Sequence, residues 1–204
     1  RRQRQMCIRD SYDSVINNDI SRVDNVKRNP EKTKRLLRSY ARSIGTQSKI
    51  SSLSQDVNPS GDSEIASNPT IMDYIEALKK IFVLEDSRAW NPNLRSKTAI
   101  RTSDTRYFTD PSIAAAAMEL GPDDLINDLN TMGFFFENLC IRDLRIYADA
   151  LDGTVYHYRD KNGLECDAVI HLRGGAYGLA EIKLGGEKLI QEGIATLNKL
   201  ESNI

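Results

Sequence analysis

No apolar run in the 204-residue sequence approaches the roughly 20 residues that a helix needs to cross a bilayer. No charged start followed by an apolar h-region marks a signal peptide. Cysteine is scarce: Cys7, Cys140 and Cys166 fit no metal-ligand spacing and leave an odd count, so a reducing cytoplasm is the expected compartment, with no membrane. His157 and His171 fit neither a catalytic triad nor a zinc pattern and read as ordinary strand residues. The phosphate-binding loop Gly-x-x-x-x-Gly-Lys-Ser/Thr is also missing.

What is present is ordinary in bulk, with 40% hydrophobic and 28% charged residues in a length that suits one large or two small domains. The net charge of -1 hides an asymmetry. Residues 1–44 hold 12 Lys/Arg against 5 Asp/Glu, residues 45–109 hold 8 against 8, and residues 110–204 hold 8 against 16. A basic front suits phosphate or an acidic partner, whereas the acidic back needs cations before it approaches DNA. Both ends look cut. Residues 1–11 lack a start methionine and an apolar period, resemble a translated sequencing-adapter remnant, and are set aside from fold reasoning. The other end stops straight after a helical pattern, so the chain is expected to be an internal piece of a longer protein.

Residues 12–26 carry a weak helical period. Pro30 opens a stronger helix striped by Leu36, Leu37, Tyr40, Ala41 and Ile44 and stopped at Gly45. A short helix is expected over 48–57 and a turn over 58–62. Asn68 caps and Pro69 opens a helix striped by Ile71, Ile75, Leu78 and Ile81. Extended pieces follow at 82–84 and 107–108, and Pro111 opens an Ala-rich helix to Leu120. Helix, short helix, helix and two extended pieces is the order of a winged helix, expected over 12–110. The helix over 68–81 would then be the recognition helix, with Asp73, Glu76, Lys79 and Lys80 outward and Arg95 and Lys97 in the wing. Trp90 reads as a packing residue of that wing.

From Gly121 the pattern changes. Residues 122–151 read as helix in two pieces, 154–158 as a strand, 159–163 as an Asn-Gly turn, 164–183 as a hairpin and 187–200 as an amphipathic helix. Arg159 is expected to pair with Asp160 or Glu165 rather than with phosphate. The hairpin, LECDAVIHLRGGAYGLAEIK, carries charges where a core is expected. Strand alternation puts Glu165, Asp167, Val169 and His171 on one face, and Tyr177, Leu179, Glu181 and Lys183 on one face of the next strand. A three-residue loop over 174–176 pairs Arg173 with Tyr177, Val169 with Glu181 and Asp167 with Lys183. A two-residue Gly174-Gly175 loop sends Asp167 to the other face, so convergence demands an odd-length loop or a bulge. Glu137 lies in line with Phe134, Ile141, Leu144 and Ala148, an acid inside an apolar stripe. Three carboxylates and a lysine around an apolar sheet suit a hard metal such as Mg2+ and the chemistry of phosphodiester cleavage.

At these residues the chain resembles the PD-(D/E)XK nucleases, with Glu137, Asp167 and Glu181-x-Lys183 in the expected order. More closely, GFFFEN at 133–138, YRD at 158–160, GLECD at 163–167 and EIK at 181–183 resemble the C-terminal domain that follows the P-loop in many prokaryotic AAA-type ATPases. The resemblance implies an α+β protein: a winged-helix-like module over 12–110, then a restriction-endonuclease-like α-β-β-β-α core over 111–204, short of a strand after 187–200 that would pair beside Glu181 and Lys183. It implies that Asp167 and Glu181 bind Mg2+ or Mn2+, that Lys183 positions or activates water and that Glu137 assists. It further implies an ATPase domain in cis, outside this sequence, as the only site for ATP. Two functions follow as expectations: Mg2+-dependent DNA cleavage coupled to ATP hydrolysis, or a silent nuclease fold that docks protein or DNA and regulates the ATPase.

Overall fold

The computed structural model describes residues 2–58, 65–93 and 102–204 and is mixed α+β. The chain divides into two compact units: Arg1–Glu85 with Arg106–Asp124, and Asp86–Thr105 with Leu125–Ile204. No helix among the described residues is long and apolar enough to cross a membrane.

In the first unit α1 (Arg2–Ser14) passes through a π-helical turn (Val15–Asp19) into α2 (Ile20–Arg22). Residues 1–11, set aside from the sequence, thus fall largely within α1. Next come α3 (Pro30–Arg42), α4 (Ile50–Val57) and α5 (Asn68–Lys80). Asn29 caps α3 by accepting the N–H groups of Glu31 and Lys32, with Pro30 pre-shaped for the first turn. Gly45, at φ 70°, ends the run as expected. The cap of α5 is Ser67, which accepts the Thr70 N–H at 3.3 Å; Asn68, expected as the cap, is the first helical residue. Leu36, Leu37, Tyr40, Ile44, Leu53, Ile71 and Leu78 form the buried seam between these helices.

Two extended pieces close the unit. Leu84 bridges Phe108 antiparallel, and Phe108 stacks edge-on against Tyr40 with ring centroids 5.8 Å apart. α6 (Pro111–Ala117), capped by Asp110, packs on α1 and α3 through Ala114 and Ala117. It therefore belongs with the helices, and the expected break at 110/111 falls elsewhere: small alanine side chains let a short helix approach α3 closely. Beyond Asn58 the expected turn lies outside the described residues, as do Arg95 and Lys97.

α7 (Pro122–Asn127) leads to α8 (Leu129–Asp149), and Asp128 separates the two by capping Thr131. Three antiparallel strands follow in the order β1 (Gly153–Arg159), β2 (Glu165–Leu172) and β3 (Tyr177–Ala180), then α9 (Glu187–Glu201). In the β1–β2 turn Asp160 Oδ1 accepts the N–H groups of Asn162 and Leu164, with Gly163 at φ 82°. Arg159 pairs with Glu165 at 2.8 Å. Gly153 is needed where α8 meets the sheet: a Cβ there would stand 2.8 Å from Leu172 Cδ2 and 3.1 Å from the Ala148 carbonyl. Cys166, Val169 and Leu200 are the buried centre of this unit, surrounded by Trp90, Tyr158, Leu179 and Leu197. Trp90, expected in a wing, packs on the sheet instead, 5.0 Å from the Tyr177 ring. On α9 the inward line is Gly193, Leu197 and Leu200, while Leu189, Ile190 and Ile194 stay exposed.

His157 ties the 86–90 segment to β1. Its backbone N–H donates to Arg88 O at 2.9 Å, its carbonyl accepts the Trp90 N–H at 2.7 Å, and Nδ1 donates to Ser87 O at 2.8 Å. The ring is 3% exposed and Nε2 has no hydrogen-bond partner. Burial depresses its pKa, the nearby Arg159 adds to this, and Ser87 O and Asp104 only partly oppose it. The unfolded chain takes up this proton below about pH 6.5 and the folded chain only at lower pH, so stability falls as pH drops through that value, by up to about 1.4 kcal/mol per unit. Urea midpoints measured from pH 7.5 to 5 should fall more steeply for the wild type than for His157→Asn. Equal slopes would show that His157 does not set this dependence.

Candidate functional site

The hairpin loop is odd in length, as convergence of the acids requires, but it sits one residue earlier than expected. His171 pairs with Tyr177, and Leu172 N–H donates to Ala176 O at 2.8 Å, so the turn is Arg173, Gly174 and Gly175, with Gly175 at φ 90°. The register is thereby shifted by two: Val169 faces Leu179 rather than Glu181, and continuing the ladder puts Asp167 level with Glu181 rather than Lys183. A shift of two preserves the face of every side chain.

A bulge is present as well. Tyr156 pairs with Val169 and Tyr158 with Cys166, so Asp167 and Ala168 both stand opposite His157. This explains why Ala168 and Val169 are buried in succession and why Cys166 shares the core with Val169. The Cys166 thiol, pushed up to about 11 mainly by burial, is an inert packing group.

The β2–β3 pairing stops at Ala168 and Ala180, and beyond it the Asp167 side chain takes over. Asp167 Oδ2 accepts the Ile182 N–H at 2.7 Å and the Lys183 ammonium at 3.2 Å. Lys183 Nζ also lies 2.5 Å from Glu181 Oε2. The side chains of Asp167, Glu181 and Lys183 are 18%, 7% and 31% exposed. Burial and the Asp167 charge push the Glu181 carboxyl up, against the pull of Lys183. Burial alone would lower the Lys183 ammonium, but Glu181 and Asp167 together hold it above its ordinary value. The lysine is therefore kept charged between two acids.

α9 covers part of this cluster. A Cβ at Gly193 would stand 3.4 Å from Glu181 Cβ and 3.7 Å from Lys183 Cγ, so the helix reaches the site through its bare glycine backbone. A glycine inside an amphipathic pattern was the sequence signal for this contact.

Glu137 is not brought into the group. Among the described residues no three or more His, Cys, Asp or Glu side chains are placed to hold a metal ion. The buried residues of α8 are Phe135, Asn138, Ile141 and Ala148, while Phe134 is exposed and Glu137 is half-buried. Each step along a helix turns about 100°, so Glu137, four residues before the buried Ile141, lies at the edge of the same face. Its charge contributes, after burial and Asp143, to raising the Cys140 thiol one turn along. The donor set that remains, two carboxylates on adjacent extended segments, still fits one small hard cation that keeps most of its waters.

In the first unit the outward acids of α5 are occupied. Asp73 accepts Arg28 Nη2 at 2.9 Å, and Glu76 lies 3.5 Å from Lys79. That helix face shows acids already paired with the protein's own cations, together with the exposed Met72.

Residues 1–124 match a domain of unknown function (DUF8612), more than half of the chain. The chain belongs to that family. Residues 132–204, which hold β1–β3 and α9, match a second domain of unknown function (DUF4143). No curated protein and no solved structure matches the chain. The acid pair and Lys183 thus lie wholly in the second matched region, and α3–α6 wholly in the DUF8612 region.

Gly193 offers a direct test of the packing over the site. Gly193→Ala places its methyl in ordinary contact distance and gains up to about 1 kcal/mol of helix propensity, so its urea midpoint should equal or exceed that of the wild type. Gly193→Leu must displace Glu181, Lys183 or the helix itself and should cost about 1–3 kcal/mol. A leucine variant as stable as the alanine one would mean that α9 does not sit against the pair.

Proposed function

We propose that the second unit is a metal-dependent nuclease centre of the PD-(D/E)XK kind, acting on DNA, in a prokaryotic AAA-type ATP-binding protein whose ATPase domain lies outside this sequence. The observation that carries the reading is the convergence of Asp167, Glu181 and Lys183, two carboxylates and a lysine from separate parts of a hairpin drawn within 3.2 Å of a common ammonium. Asp167 and Glu181 would hold Mg2+ or Mn2+. The bound ion would supply an acidified water and offset the charge of the scissile phosphate. Lys183, held charged, donates to a phosphoryl oxygen or orients the water rather than taking its proton. The Ile182 N–H fixes the Asp167 carboxylate, so its rotamer is set before any ligand arrives. Glu137 is given no ligand role in this reading.

A second reading has its own support. Ile146, Tyr147 and Leu151 stand 61%, 66% and 66% exposed in and just after the last turn of α8, and both site carboxylates are already paired with Lys183. These features suit a silent nuclease fold that docks protein or DNA and regulates the ATPase.

Plasmid and single-stranded DNA incubated with the chain in Mg2+ or Mn2+ should be cut, and Lys183→Ala or Asp167→Ala should slow cutting about 100-fold or more. DNA left intact with either ion, or cut equally by the variants, would remove the nuclease reading and leave the docking one.

A further inference from the structure

We infer that Lys183 is a built-in competitor for the metal: its ammonium holds the two carboxylates in the absence of an ion, and a divalent cation binds by exchanging with it. This deepens the metal-dependent reading above and rests on it.

The argument is one of shared ligands. Lys183 Nζ contacts Asp167 Oδ2 at 3.2 Å and Glu181 Oε2 at 2.5 Å. A divalent ion taking those two carboxylates must push the ammonium off them, because like charges at such separations repel strongly in a half-buried site. The alternative of leaving the acids unpaired is closed as well. Glu181 is 7% exposed, and an ionised carboxylate at that depth needs a cation beside it. Lys183 therefore keeps the empty hairpin folded, and the same contact weakens metal binding.

Geometry favours exchange over a permanent pair. Lys183 is the most exposed of the three side chains, so its head has solvent to move into, whereas Asp167 is pinned by the Ile182 N–H at 2.7 Å. The lysine stem rests beside Gly193, where no side chain blocks it: even an added Cβ would be 3.7 Å from Cγ and 4.0 Å from Cε. The two acids stay as a preformed cradle while the long, flexible cation leaves. Lys183 acts here as a positioning residue for the metal, in addition to any part it takes in cleavage.

The test is metal binding measured directly, without DNA. Mn2+ titrated into the wild type, Lys183→Met and Lys183→Arg is followed by electron paramagnetic resonance and calorimetry. Methionine keeps the stem and removes the charge, so it should bind Mn2+ about ten-fold or more tighter than the wild type, and arginine should not. Mn2+ should also raise the melting temperature of Lys183→Met more than that of the wild type. Should the methionine variant not fold, Lys183→Gln replaces it. In the wild type, Mg2+ should move the Lys183 ammonium NMR signal toward that of a solvated lysine. Equal or weaker Mn2+ binding by the neutral variants, or an ammonium signal unmoved by saturating Mg2+, overturns the exchange while the metal centre stands. Binding absent from every form, or unchanged by Asp167→Asn, overturns the metal centre itself.

Discussion

Asp167 stands where the β2–β3 ladder runs out. The last backbone pair joins Ala168 to Ala180, and the next free N–H, that of Ile182, is satisfied by the Asp167 carboxylate at 2.7 Å. A side chain thus extends the sheet by one rung. The contact has three consequences. It satisfies a donor that the ladder no longer reaches. It turns residues 181–183 so that Glu181 and Lys183 face back across the hairpin. It also leaves a negative charge in a half-buried place, which Lys183 offsets. The bulge opposite His157, in the β1–β2 pairing, falls at the same two residues, Asp167 and Ala168.

The bulge is itself held from outside the hairpin. His157, opposite it, gives its backbone N–H and carbonyl to Arg88 and Trp90 and its ring to Ser87. The 86–90 segment thus bridges β1 at Ala89 and His157, and Trp90 packs its ring near those of Tyr158, His171 and Tyr177. This links a segment far away in sequence to the strand beside Asp167 through hydrogen bonds and ring packing. It also explains why a stretch expected in a wing belongs to the second unit.

The first unit depends on a different charged contact. Arg28, 3% exposed, donates to Asp24, to Asp73 and to the Ile20 carbonyl, closing the turn between α2 and α3 onto α5. Its hydrogen bond holds the Asp24 carboxyl down at about 2. One buried guanidinium, with a planar fork of donors, joins residues 20, 24 and 73 at a single point. The basic front of the sequence is thus partly structural: some of its charge serves the fold and is not offered to a partner.

Much of this could be read from the residues in order. Proline marked the start of α3, a glycine its end, and alternation with an Asn-Gly turn marked the strands, because caps and turns are local and each is decided within four or five residues. The identity of the hairpin acids was legible for the same reason, since charges inside a strand pattern stand out against it. Register was not legible, because a three-residue loop at 173–175 and one at 174–176 preserve the same alternation and differ only in which residues meet. The facing of Phe134 was not legible either, since packing turns Phe135 inward in its place while Ile141 and Ala148 stay buried as the stripe had them. What the sequence determined by itself was the kinds of element and the presence of two acids and a lysine in one hairpin. What tertiary structure decided was the bulge, the exchange of a backbone rung for the Asp167 carboxylate and the approach of Gly193, because each depends on contacts between segments whose spacing along the chain carries no information about them.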